Sequence, residues 1–96
     1  MDITKMLKAN EDRVKKLSDS SIRIYNSNLK TLNKLITNED TIKNIDFIKD
    51  MDKVNDVLSE KALNTKKNYI TAIVVLTKLL KEEVLYKKYT ELMDKL

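Results

Sequence analysis

Between Ser20 and Ile36 the apolar residues Ile22, Tyr25, Leu29, Leu32 and Ile36 recur at spacings of three and four, the period of one face of an α-helix. The opposite face reads Arg23, Ser27, Lys30 and Lys34. The arrangement returns between Asn64 and Leu80, where Tyr69, Ala72, Ile73, Leu76 and Leu80 form the stripe and Lys67, Thr71, Val74 and Lys78 lie opposite. Ile70, Val74 and Val75 flank this second stripe, so its helix is apolar over much of its circumference and is expected to be the central, most buried one. Ser18 or Ser20 can cap the first helix, with Leu17 and Ile22 placed for a hydrophobic staple if Ser18 is the cap, and Asn64 can cap the second.

The connector NEDTIKNIDFIKDMDKVNDVLSEKAL carries apolar residues at Ile45, Ile48, Met51, Val54, Val57 and Leu58. That spacing predicts a helix capped near Asp50 or Asp52, preceded by a shorter, less regular turn from Thr41 to Ile48. Ile3, Met6 and Leu7 predict a short N-terminal helix, and Leu85, Tyr86, Tyr89, Leu92, Met93 and Leu96 an amphipathic C-terminal one. KEEV contains no helix breaker, yet a turn is expected near residue 81.

The two main helices are also related to each other. At an offset of forty-four, Ser21 pairs with Thr65, Arg23 with Lys67, Tyr25 with Tyr69 and Ser27 with Thr71; the register runs on through Leu32 and Leu76, Lys34 and Lys78, Leu35 and Leu79, and Ile36 and Leu80. Two copies are too few for a solenoid, so the repeat is read as a duplicated helix within one bundle.

Composition narrows the class. Ninety-six residues suffice for one hydrophobic core, and residues 1–96 are read as a single domain. The chain has neither Gly nor Pro, and strand-like alternation is hard to find. The expected fold is all-α, a compact four- to five-helix bundle whose turns are made by Asn, Asp and Ser.

Without His or Cys the chain lacks the commonest general base, the commonest metal ligand, the thiolate nucleophile and any disulfide. It has no Gly-rich phosphate loop, and the Asp residues between 46 and 56 lack the spacing and the Gly of a calcium loop. Asp50, Asp52 and Asp56 are read as a solvated acidic face with caps, and Tyr25 and Tyr69, which fall on the apolar stripes, as packed rings with their hydroxyls at the core edge. No catalytic residue, cofactor, metal or small-molecule substrate is expected. The longest uncharged run, Asn68 to Thr77, is about half the roughly 20 residues of a membrane span, and the charged N-terminus is unlike a signal peptide; an intracellular protein is expected.

The net charge of +4 conceals a segregated pattern. Residues 21–37 carry +3 and residues 61–81 carry +5, both without an acid, whereas residues 38–60 carry −4. Solubility is served by mixed signs, and such separation instead builds positive faces. Ser and Thr near the helix starts add hydroxyls beside backbone N–H groups and the positive end of the helix dipole, a combination suited to phosphate oxygens.

LSDSSIRIYNSNLKTLNKLI, the acidic connector and then ALNTKKNYITAIVVLTKLL together resemble the N-terminal core-binding (SAM-like) domain of tyrosine recombinases, the phage-integrase superfamily. In that family one helix opens with Ser-x-x-Thr-x-x-x-Tyr and another with Ser/Thr-x-x-Thr-x-x-x-Tyr-x-x-x-Leu. Ser18, Ser21 and Tyr25 fit the first, with Ser replacing Thr, and Thr65 and Tyr69 fit the second; about residues 15–82 are covered. Lys, Asn and Ile, the residues of A/T-rich codons, give the chain the flavour of integrase-like proteins of large DNA viruses or mobile elements.

The resemblance implies one half of a clamp on double-stranded DNA, held by Ser21, Arg23, Ser27, Lys30 and Lys34 of the first helix and Thr65, Lys66, Lys67, Thr71 and Lys78 of the second. The family's catalytic domain is separate and C-terminal, so a non-catalytic module is expected, either a piece of a longer recombinase or a stand-alone binder. The alternative is a protein-interaction or scaffold bundle that self-associates through residues 84–96, which is also compatible with assembly on DNA.

Overall fold

The structure, a computed structural model, describes Lys5 and residues 19–96, with Asp19 described in its backbone alone. The expected N-terminal helix around Ile3, Met6 and Leu7, and the capping residues Leu17 and Ser18, lie outside the described residues. The described chain is a helical bundle of α1 (Asp19–Thr37), α2 (Asp46–Lys49), α3 (Met51–Leu58), α4 (Leu63–Leu79) and α5 (Glu83–Lys95), with no strand among the described residues.

The periodic stripes are the core. Ile22, Leu29 and Leu32 of α1 are buried, and Tyr25 and Ile36 pack against them. α4 contributes Tyr69, Ile70, Ala72, Ile73 and Leu76, and it packs against both α1 and α5, which makes it the central helix as its broad apolar surface predicts. Phe47 and Ile48 of α2, Val54 and Leu58 of α3, and Leu85 and Tyr89 of α5 complete one continuous core, joined by Ile42 and Ile45 from the irregular stretch before α2.

The two long helices close differently. α1 ends where Asn38 takes a left-handed conformation (φ 62°) and its N–H donates to the Lys34 carbonyl oxygen at 2.8 Å, a closure to which Asn is well suited. The Asn33 side chain then fastens the reversed chain, donating through Nδ2 to the carbonyl oxygens of Glu39 (3.1 Å) and Thr41 (3.3 Å). α4 ends with Lys81 in the same left-handed region (φ 57°), the Lys81 N–H donating to Lys78 O at 3.2 Å and the Glu82 N–H to Thr77 O at 3.0 Å. This pair of bonds is the Schellman closure, which usually recruits Gly; in a chain without Gly a Lys fills the position.

The connector follows its sequence pattern. α2 is the short turn expected between Thr41 and Ile48, and Asp50 caps α3 by accepting the Lys53 N–H at Oδ1 (3.2 Å). The cap expected for α4 at Asn64 is corrected. Ala62 is extended (φ −61°, ψ 154°) and its carbonyl accepts the Lys66 N–H at 2.9 Å, so the helix begins at Leu63 and Asn64 lies inside the first turn.

α5 folds back on α4. Its apolar stripe, a candidate contact for a second molecule, is used within the chain: Leu85 and Tyr89 are buried, and Leu92, Met93 and Leu96 pack against the core. The Tyr89 hydroxyl donates to the Ile48 carbonyl oxygen at 2.5 Å, tying α5 to the end of α2 across 41 residues.

Candidate nucleic-acid interface

α1 presents Arg23, Ser27, Lys30 and Lys34 on one exposed stripe, opposite its buried one. From Arg23 to Lys34 the stripe is about 16 Å long at 1.5 Å per residue. From Ser20 onward this helix contains no acid. Ser21 is half-buried and stands apart from the four.

On α4, Lys67, Thr71 and Lys78 share the outward face, Lys78 exposed and the other two half-buried. No acid stands in the first turn of α4 and no side chain caps it, so the positive end of its dipole is not neutralised locally. Thr65, half-buried, is the third residue of α4 and stands where Ser21 stands in the forty-four-residue register. The Thr71 hydroxyl donates to the Lys67 carbonyl oxygen at 2.7 Å, which leaves its oxygen lone pairs as the groups it can offer outward.

Besides Ser21 and Thr65, two of the expected lysines depart from this arrangement. Lys66 lies about 100° round the helix from Lys67. It lines a small cavity of about 50 Å³ with Asn55 and Leu58 of α3, Ile70, and Leu96 at the chain's end, so it belongs to a different side of the bundle from Lys67, Thr71 and Lys78. Lys34 remains on the α1 stripe, but its Nζ pairs with Asp40 Oδ1 at 2.8 Å. Hydrogen bonding to Asp40, then its charge, raises the Lys34 ammonium above its ordinary pKa, and the same two effects lower the Asp40 carboxyl. Both groups are solvent-exposed, and such a pair exchanges readily with water and ions. Lys43 also pairs with Glu39 (3.7 Å) and Lys49 with Asp46 (3.0 Å), both within the connector. Arg23, Lys30 and Lys67 have no ion pair among the described residues.

Two features escape the periodicity. Asn33 and Thr77 are the buried polar residues among those described, and they stand forty-four apart, in the repeat's own register. Ile24 (54% exposed) and Leu35 (48% exposed) form an apolar edge on α1 beside the basic stripe, marked in the sequence only as apolar residues off the main period. Asp50, on the acidic face of the connector, caps α3 as its position predicts. Among the described residues no His, Cys, Asp or Glu side chains cluster to hold a metal, and no helix is long and apolar enough to cross a membrane.

What the arrangement offers chemically is cation and hydroxyl on convex helix surfaces. It suits an extended polyanion better than a small ligand, which needs a concave site. No family model, curated protein or solved structure matches the chain.

Proposed function

We propose that this chain is a non-catalytic module that binds double-stranded DNA through its phosphate backbone, of the kind found in the core-binding domains of tyrosine recombinases. The observation that carries the proposal is the α1 stripe of Arg23, Ser27, Lys30 and Lys34, exposed together on a helix with no acid from Ser20 to its end. The outward face of α4 adds Lys67 and Lys78 on the helix packed against α1, while the Thr71 hydroxyl beside them gives its proton to the Lys67 carbonyl oxygen. Placement of Tyr25 and Tyr69 in or against the core supports the same reading, because it leaves the hydroxyl and basic residues of each repeat as the outward chemistry.

The set of phosphate contacts is Arg23, Lys30 and Lys67, with Lys34 and Lys78 joining when they leave their present partners. Three to five neutralised phosphates correspond to a slope of log K against log salt of about −2.7 to −4.5. Titrating a fluorescent duplex with the protein at several salt concentrations measures it. Binding that is undetectable at low ionic strength, or independent of salt, overturns the proposal.

A further inference from the structure

α1 exposes more than its basic stripe. Ile24, Asn28, Thr31 and Leu35 repeat the spacing of Arg23, Ser27, Lys30 and Lys34 one residue later, so a second stripe of the same length, about 16 Å, runs beside the first at about 100° around the helix. It carries no charge. Ile24 is 54% and Leu35 48% exposed, Thr31 is exposed and Asn28 half-buried. Neither the Asn28 amide nor the Thr31 hydroxyl is hydrogen-bonded among the described residues. In the other copy of the repeat the same register is Asn68, Ala72, Val75 and Leu79, where Ala72 is buried and Val75 and Leu79 pack against the core. The bundle thus uses this face of α4 and leaves that of α1 to solvent, where aliphatic side chains serve neither the core nor solubility.

We propose that this uncharged stripe selects A·T-rich duplexes, with thymine methyl groups against Ile24, Thr31 and Leu35 and the Asn28 amide on adenine. The inference rests on the phosphate-binding reading of α1 and adds a base preference to it. A helix about 10–12 Å across fills a major groove about 12 Å wide, so a stripe about 100° round from one that holds phosphates turns toward the base edges. Thymine offers a methyl group there, and adenine offers N6 and N7 to an Asn amide. Guanine is read best by Arg or Lys and cytosine by Asp or Glu, and none of these stands on the stripe. The neighbouring cations hold phosphates of any sequence alike, and the preference comes from the second stripe alone.

Competition of unlabelled duplexes against one fluorescent duplex, with the full chain at a single salt concentration, tests it. The competitors have equal length: a mixed-sequence A·T duplex, a mixed-sequence G·C duplex, and the A·T duplex with uracil in place of thymine, which keeps the pairing and removes only the methyl groups. The A·T duplex is expected to compete about tenfold better than the G·C duplex. Uracil is expected to take away about fourfold of that advantage, the value of one buried methyl group. Ile24→Ala combined with Leu35→Ala, both at exposed positions, is expected to keep the helical circular dichroism and to bind the thymine and uracil duplexes alike. Arg23→Gln, on the basic stripe, is expected to weaken all three equally. Equal competition by A·T and G·C duplexes overturns the inference and leaves phosphate binding standing, whereas no binding to any duplex at low salt overturns both. An A·T preference that survives uracil undiminished reports groove shape instead of methyl contacts and also overturns it, as does a double variant that still favours thymine over uracil.

Discussion

Asn33 and Thr77 occupy equivalent buried positions forty-four residues apart, and each stands beside the exit from its helix. Their hydrogen bonds differ in reach. Asn33 donates to two carbonyl oxygens beyond the end of α1, at Glu39 and Thr41, whereas the Thr77 hydroxyl donates to Val74 O within its own helix. Asn33→Asp turns two donors into a carboxylate facing two carbonyl oxygens, and a loss of about 2–3 kcal/mol is expected. Thr77→Val removes a bond to a carbonyl already served by its helix and keeps the volume, with a loss of about 1 kcal/mol or less. Urea denaturation of both variants checks the contrast; equal losses would contradict the assignment.

Tyr89 gives the protein a specific sensitivity to alkali. Burial, and secondarily the negative charge of Asp50, raises its hydroxyl well above the usual tyrosine range. A group whose folded pKa is raised contributes its stability fully below its unfolded pKa, and that contribution is lost as pH rises from there toward the folded value. The unfolded value is about 10. Each pH unit above it therefore removes on the order of 1.4 kcal/mol through this residue alone. Tyr89→Phe loses the bond to Ile48 O and costs about 1 kcal/mol at neutral pH. Above pH 10 its stability is expected to fall less steeply than that of the parent, and the difference between the two urea-denaturation curves at pH 8 and pH 11 measures this.

The apolar stripes were legible in the sequence because helical periodicity reports burial directly, and Ile22, Leu29, Leu32, Ile73 and Leu76 are buried where that period puts them. The cap at Asp50 was legible for a similar reason, since its chemistry is local. Asn33 and Thr77 were not, because hydropathy treats an amide and a hydroxyl as surface groups; the forty-four-residue register is the signal that marks them. Lys66 and Lys67 were grouped by adjacency in sequence, and one residue of helix turns them onto different sides. Asp40 lies outside the acid-free segment that defines the α1 stripe, and its contact with Lys34 exists only because the chain reverses at Asn38.

That contact makes a prediction about binding. Asp40 competes with phosphate for Lys34, so Asp40→Asn is expected to tighten duplex binding and to steepen the salt slope by about 0.9 as one more phosphate is neutralised. Because both partners are exposed, the melting temperature is expected to stay the same within error. Duplex titration with parent and variant at four salt concentrations separates the slope from the affinity. An unchanged slope would remove Lys34 from the set of contacts.

Helix phase separates Lys67 from Lys66 by a test that composition cannot mimic. The two variants Lys67→Gln and Lys66→Gln change the net charge identically, so any nonspecific effect of charge falls on both. If phosphate is held on the outward face of α4, Lys67→Gln weakens binding to unrelated duplexes alike and makes the salt slope shallower by about 0.9, while Lys66→Gln, on the cavity shared with Asn55 and Leu96, leaves the slope unchanged. Tyr69→Ala supplies the structural control: its ring is 9% exposed in the core, and the expected effect is a loss of about 3–5 kcal/mol of stability, read by urea denaturation. Equal slopes for Lys66→Gln and Lys67→Gln would mean that the bundle attracts DNA by its overall charge and that the outward face of α4 is no more than a solvated surface.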